Sequence, residues 1–331
     1  GLCQMPSRFS FDGALMFAFR AAHVRSFLWV FPLAFAGVFT LFSLAILIFA
    51  KDDFLQVFQT IEMLEQASVG RGDPQAVFAA ILGAMEPLVG WAVFAMLGSW
   101  IIWAMFEAAS QRRYVRDERF SLGFGGDEIR MMAVGLCWAV MQTLFIIVPV
   151  LMFFGAVSTA VGLAADGVTE SQIASRVVGT ILGAFGLWIV LFFVYAFFAT
   201  RLAPCFGLTI KDKAFRFFDA WNVSRGRFWP ILGAYLILTI VGGIVVSIAD
   251  QLLQLPMMFM MAPAFENVQT GDDIAAAFMS SGVIVVLAVY LIARLFLSGL
   301  LMHVAGAPAA FAARHDPRGS VDDTYRVDTF S

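Results

Sequence analysis

The 24 residues from Val177 to Thr200, VVGTILGAFGLWIVLFFVYAFFAT, carry no charged side chain, and residues 201–229 directly behind them carry six Lys and Arg. A helix of roughly 20 apolar residues crosses the hydrocarbon core of a bilayer, so the uncharged run reads as a membrane span. Lys and Arg collect on the cytoplasmic side of spans, so the basic stretch marks which end stays inside. The same alternation runs through the whole chain. Further apolar runs cover about residues 26–50, 87–106, 131–165, 230–249 and 280–304, the last interrupted only by Arg294. Lipid offers the backbone no hydrogen bonds, so each run is expected to be helical.

Charge then orients the set. Residues 1–25, 107–130, 201–229 and 305–331 hold 17 of the 21 Lys and Arg, whereas the other connections hold only Lys51, Arg71 and Arg176. The acids divide evenly, 12 to each side, so one face is net basic and the other strongly acidic. Both termini are therefore expected in the cytoplasm. Hydrophobic residues reach 61% and charged residues 14%, against about a quarter charged in soluble domains, which excludes a soluble globular chain. Cys3, Cys137 and Cys205 are too few and too scattered for a disulfide framework. The first apolar run is long enough to stay in the membrane rather than serve as a cleaved signal.

The run at 131–165 is 35 residues, about 52 Å of helix against a core of about 30 Å. Two short spans would reverse every later segment and put the basic 201–229 stretch outside. One tilted helix, kinked at Pro149, keeps the charge rule. The chain is thus read as an all-α polytopic membrane protein of six spans. Residues 1–313 form a single transmembrane domain, and 314–331, with Pro317 and Gly319, form a flexible cytoplasmic tail.

The spans group into three hairpins, each approached from the cytoplasm. Ala14, Phe17, Arg25 and Trp29 recur 200 residues later as Ala214, Phe217, Arg225 and Trp229. Ala214, Phe217, Phe218 and Trp221 follow helical spacing, with Lys211, Lys213, Arg216 and Asp219 beside them, as in an amphipathic helix lying in the membrane interface. Ala203-Pro204 and Ala307-Pro308 follow the fourth and sixth spans. The pattern predicts three parallel hairpin repeats, an arrangement found in some transporters and in inert scaffolds. On the acidic side, residues 52–86 read as two short helices split at Val69–Pro74. Met257, Met258, Met260 and Met261 offer thioethers suited to Cu(I); with no Cys or His on that face, they are read as apolar interfacial filling.

The stretch from Arg201-Leu-Ala-Pro through Ala220-Trp221-Asn-Val-Ser-Arg225-Gly226-Arg-Phe228-Trp229 resembles a motif of bacterial six-span envelope proteins of the YciC-like type. It is also similar to the membrane domain attached to some glycerophosphodiester phosphodiesterases, whose catalytic domain is absent here. The resemblance implies a bacterial inner-membrane protein with an envelope or lipid-related role, and no agreed chemistry.

Among candidate functional residues, Arg294 is the sharpest. Placed about 15 Å from a cytoplasmic span end at Val304, it costs roughly 2.5–3.5 kcal/mol to insert, so it is expected to face the bundle interior, water or an anion. Its partner would be an anionic substrate or headgroup, or else local polar groups such as Gln142, Thr143 or Ser298. His303 could relay protons or serve structure. Glu86 and Glu107 bracket the second span about 30 Å apart, too far for a carboxylate pair; Glu107 is expected near Arg112 or Arg113. Arg112, Arg113, Arg116, Lys211, Lys213, Arg216, Arg225 and Arg227 are candidates for anionic lipid headgroups, and their interleaved acids speak against nucleic acid. Gly179-x-x-x-Gly183 with Gly186 would allow close helix packing. No Ser nucleophile motif, metal-ligand helix, phosphate loop or redox Cys pair is present, and no cofactor is implied. The expectation is a non-enzymatic accessory, scaffold or envelope-maintenance protein that meets membrane lipids and either another membrane protein or a second copy of itself. The alternatives are an anion transporter or channel through Arg294, and an intramembrane enzyme.

Overall fold

A computed structural model of the chain describes residues 9–68, 74–266, 271–278, 280–319 and 321. The elements are α1 (Phe11–Arg20), a π-helical turn (Ser26–Val30) running into α2 (Phe31–Phe49), α3 (Lys51–Ser68), α4 (Pro74–Ala84), α5 (Glu86–Arg116), α6 (Gly126–Ala165), α7 (Glu170–Leu202), α8 (Cys205–Lys211), α9 (Ala220–Val223), α10 (Phe228–Phe265), α11 (Gly271–Phe278) and α12 (Ser281–Arg314). Six helical stretches are long and apolar enough to cross a membrane, and no strand occurs among the described residues. The chain is an all-α six-span membrane protein. Residues 131–165 lie in one helix with Pro149 inside it. The paired short helices on the acidic side are α3 and α4, with residues 69–73 between them outside the described residues.

The spans leave wide apolar faces uncovered. Leu144, Phe193 and Phe259 are all more than half exposed, as suits side chains whose solvent is lipid. The packed core lies instead at the basic end, where three helix ends converge. α5 is buried without interruption from Phe106 to Val115, α8 is buried from Gly207 to Ile210, and α12 from Ala307 to Ala313. Each of these three segments packs on the other two. A helix apolar or buried on every side belongs to a core, and these ends form a hub. Small side chains make it possible: residues 305–313 read AGAPAAFAA, which lets backbones approach closely. A Cβ at Gly207 would stand 2.8 Å from the Ala313 Cβ.

Helix α1 then lays its buried face on this hub. Ser10 caps it by accepting from the Gly13 amide at 3.0 Å, and Phe17 stacks against Phe311 and Tyr114 at ring-centroid distances of 4.9 and 5.2 Å. A second cluster of Phe27, Phe31, Phe35, Phe106 and Ala109 joins α2 to α5, closed over by Phe120.

Several expectations are corrected. α5 does not end at Phe106, nor α12 at Val304: both continue as helix for about ten residues into the hub. Arg314, His315 and Asp316 are therefore part of the packed structure rather than of a flexible tail; His315 and Asp316 are buried, and residues 320 and 322–331 lie outside the described residues. Residues 214–219 are non-helical and lead into the single turn of α9, which holds Trp221, so the stretch is not one amphipathic helix. Lys213 closes α8 in the left-handed region at φ 51°, which ends the helix before those residues. The burial pattern nevertheless repeats: Phe17 and Phe217 are inside, while Trp29 and Trp229 stand out at 68% and 76% exposure. The Met-rich segment continues α10. Gly179, Gly183 and Gly186 lie on an open surface, where an added Cβ at Gly179 or Gly186 meets nothing within 4 Å.

Gly207→Ala is expected to cost about 1–3 kcal/mol, because both colliding carbons are anchored to backbone. Gly37→Ala, in open space on α2, is expected to be neutral or slightly stabilising. Thermal unfolding of the two variants in detergent separates these outcomes.

Candidate functional site

The densest set of polar side chains lies inside the hub. Arg113 is fully buried. Its guanidinium donates from Nε to the Ala22 carbonyl at 2.7 Å and from Nη2 to the carbonyls of Ala18 and Ala21 at 2.9 and 3.2 Å. Those carbonyls belong to the last turn of α1 and the residues after it, where helical partners run out, so Arg113 caps α1 and answers its dipole. The same guanidinium donates from Nη1 to Nε2 of His303, and its face lies over Phe27 at 4.9 Å.

His303 is also fully buried. Its ring is sandwiched between Tyr114, 4.7 Å away and nearly parallel, and Phe27 at 5.1 Å. Guanidinium nitrogens only donate, so Nε2 accepts and the proton sits on Nδ1, 2.6 Å from the Ser110 hydroxyl. The Tyr114 hydroxyl donates to the His303 carbonyl at 2.8 Å. In this tautomer Ser110 accepts from the imidazole, the reverse of a base activating a nucleophile. The arrangement holds α1, α2, α5 and α12 in one register.

Around this knot the other basic residues are tied to the fold's own acceptors. Arg112 donates to Glu128 at 2.6 Å and to the Ser121 carbonyl at 3.2 Å. Arg116 donates to Asp127 at 2.7 Å and to the Ile210 carbonyl. Asp127 and Glu128 stand in the first turn of α6, and Glu128 also accepts from the Gly125 amide at 2.8 Å. Arg314 grips Asp117 through two nitrogens at 3.0 and 2.9 Å. Lys211 meets Asp316 at 3.1 Å, Arg216 meets Asp219 at 3.0 Å, and Arg227 donates to the His315 carbonyl at 2.6 Å. Arg113, being sealed inside, cannot reach a headgroup. Of the eight basic residues expected at headgroups, only Lys213 and Arg225 are exposed with no side-chain hydrogen bond or ion pair among the described residues.

Arg294 is placed differently from the expectation. Helix α12 runs on to Arg314, so 20 residues, about 30 Å, separate Arg294 from that helix end. Of the surroundings expected for it, the bundle interior is excluded: its side chain is half exposed and meets Asp250 of α10 at 3.5 Å. Tyr290 bridges them, accepting from Arg294 at 3.1 Å and donating to Asp250 at 2.8 Å, and Gln254 donates to the same carboxylate at 2.9 Å. Ser298 bonds only the Arg294 carbonyl, while Gln142 donates to Tyr195. Asp250, read from sequence as part of a connection, lies inside α10. Arg294 and His303 are not brought together. Glu107 is not paired with Arg112 or Arg113; it accepts from Gln111 at 2.8 Å. Glu86 stands in the first turn of α5. No group of His, Cys, Asp and Glu suited to a metal occurs among the described residues. No family model, curated protein or solved structure matches this chain.

Arg113→Met leaves three carbonyls and the His303 nitrogen without their donor, an expected loss of about 3–5 kcal/mol by analogy with broken buried charge networks. Arg113→Lys keeps the charge but not the fork and should fall between. Loosening of α1 is read as faster tryptic cleavage at Arg20 and Arg25. A pH effect is expected at the hub's edge. Burial opposes the charge of Asp316, but hydrogen bonds from Arg318 and Lys211 prevail and hold its carboxyl below the usual carboxylate range. A depressed pKa stabilises the fold above the unfolded pKa and loses that stability as pH falls through the folded one. Acidification below the ordinary Asp range should therefore lower the unfolding temperature, and less so in Asp316→Asn.

Proposed function

We propose that this chain is a bacterial inner-membrane protein with both termini in the cytoplasm, acting without chemistry of its own. It serves as an accessory or envelope-maintenance scaffold that meets anionic lipid headgroups and a partner membrane protein or a second copy. The observation that carries the reading is the division of its cations. Those inside the hub are spent on carbonyls and carboxylates of the fold, while the side chains of Lys213 and Arg225 stand free in the same stretch of chain as the exposed rings of Phe218, Trp221 and Trp229. Aromatic rings at this level suit the headgroup region, and each basic side chain near an anionic leaflet contributes about 1 kcal/mol. The likeness to six-span envelope proteins supports the location, and the shared burial at positions 17 and 217, and 29 and 229, supports the hairpin repeat. Pairing of Arg294 with Asp250 favours a structural role for that residue over an anion pathway.

Two measurements test the proposal. Native mass spectrometry of the purified chain should show the Lys213→Gln, Arg225→Gln double variant retaining phosphatidylglycerol about thirtyfold less well than the parent, two contacts at about 1 kcal/mol each. Equal retention overturns the headgroup contact. A reporter active only outside the cytoplasm, fused after Ser331, should be silent; activity there overturns the orientation.

A further inference from the structure

On the membrane-facing flank of the hub a cavity of about 640 Å³ opens between α5, α6, α8, α10 and α12. That volume falls within the range of small-molecule sites. Its walls are largely aromatic: Trp100, Trp103, Trp138, Phe206 and Tyr235. The rim carries Met96 and Leu136, both more than half exposed on the apolar flank, so the way in is from lipid.

The floor is polar. Glu107 and Gln111 line the cavity and are buried, Gln111 to within 1%. Glu107 accepts one hydrogen bond, 2.8 Å from the Gln111 amide nitrogen, and forms no ion pair among the described residues. The Gln111 Oε1 atom is buried with no partner at all. That oxygen is turned toward Gly207, where an added Cβ would stand 3.3 Å from it, so it belongs to the packing of the hub. Buried acceptors are ordinarily satisfied, and the acceptor at the cavity floor that calls for a donor from outside is the second oxygen of Glu107. Trp100, Trp103, Glu107 and Gln111 recur along one face of α5, which puts rings and acceptors on the same wall.

We infer that this cavity binds the primary ammonium group of a membrane amphiphile. Such a group offers three N–H donors and no acceptor, matching the Glu107 carboxylate, and a cation is favoured against aromatic faces. The positive charge answers Glu107 where no Lys or Arg lines the cavity. A quaternary ammonium would meet the rings but has no N–H to give Glu107, and an anionic headgroup without an amine would meet a carboxylate. The source is either an aminophospholipid or a free alkylammonium. The site stands on the cavity and its acceptors, independently of the Lys213 and Arg225 surface.

The test is native mass spectrometry of the full chain in detergent, with dioleoyl phosphatidylethanolamine, phosphatidylcholine and phosphatidylglycerol at equal concentration and dodecylammonium in a parallel series. Phosphatidylethanolamine is expected to be retained about tenfold better than phosphatidylcholine, the discrimination a hydrogen-bonding site makes against a ligand lacking its donors. Glu107→Gln, which is nearly isosteric, should remove the preference. Ala139→Phe, at an exposed position on the rim, should block retention without shifting thermal unfolding, and it decides the matter if the Glu107 variant fails to fold. Binding of dodecylammonium alone assigns the site to free amines and upholds its chemistry. Equal retention of the ethanolamine and choline lipids, or an undiminished preference in a folded Glu107→Gln, overturns the inference.

Discussion

A guanidinium with no access to water needs partners inside the fold, and Arg113 makes four hydrogen bonds and a ring contact to groups from three separate parts of the chain. The carbonyls come from the end of α1 and the residues after it, the imidazole from α12, and the aromatic cover from Phe27 in the π-helical turn before α2. Burying a charge is tolerated only when it is hydrogen-bonded, so each of these elements is fixed relative to the others. The tautomer of His303 and the orientation of Ser110 follow from the same donor. Most of the basic end can be traced outward from this one side chain.

The hub explains why a protein with such open spans holds together. In lipid, apolar faces gain little by meeting each other, and helix association rests on close packing and hydrogen bonds. Here both are concentrated at one end: alanine and glycine bring α5, α8 and α12 into contact, and the Arg112–Glu128, Arg116–Asp127 and Arg314–Asp117 pairs fasten the connections around them. The opposite halves of α6, α7 and α10 are free to present their side chains to lipid. The aromatic cavity beside Glu107 lies where these two regimes meet, with rings from the spans on its walls and Glu107 and Gln111 of the hub at its floor.

Much of this was legible in the residues. Uncharged runs bounded by basic stretches give six spans because insertion energetics act on composition alone. What composition cannot register is a helix that leaves the membrane and keeps going. The run Ser110-Gln-Arg-Arg-Tyr-Val-Arg116 reads as a charged connection, yet it is the centre of the core, because its partners are other helix ends and not lipid. Nothing in the string distinguishes Arg113 from Arg112 or Arg116; only its place on the Phe106–Ser110 face does. The alanine-rich 305–313 stretch was the available signal, as was the Trp100, Trp103, Glu107, Gln111 spacing. Arg294 misled for the opposite reason: its partner, Asp250, lay in a segment assigned to a connection, so a paired charge was read as a solitary one.

The hub also has a bearing on how the chain matures. Its pieces lie far apart in sequence: Gly13 sits beneath Phe311, Ser110 meets His303, and Gly207 touches Ala313. Contacts of such separation form only once the intervening chain is in place. During synthesis, α1 and the end of α5 reach the membrane first with Arg113 lacking its imidazole and Phe17 lacking its cover. The final helix supplies both. Docking of the N-terminal helix is thus a late event, timed by arrival of the C-terminal one, and a chain cut short before residue 303 would present an open basic end to the cell's membrane proteases.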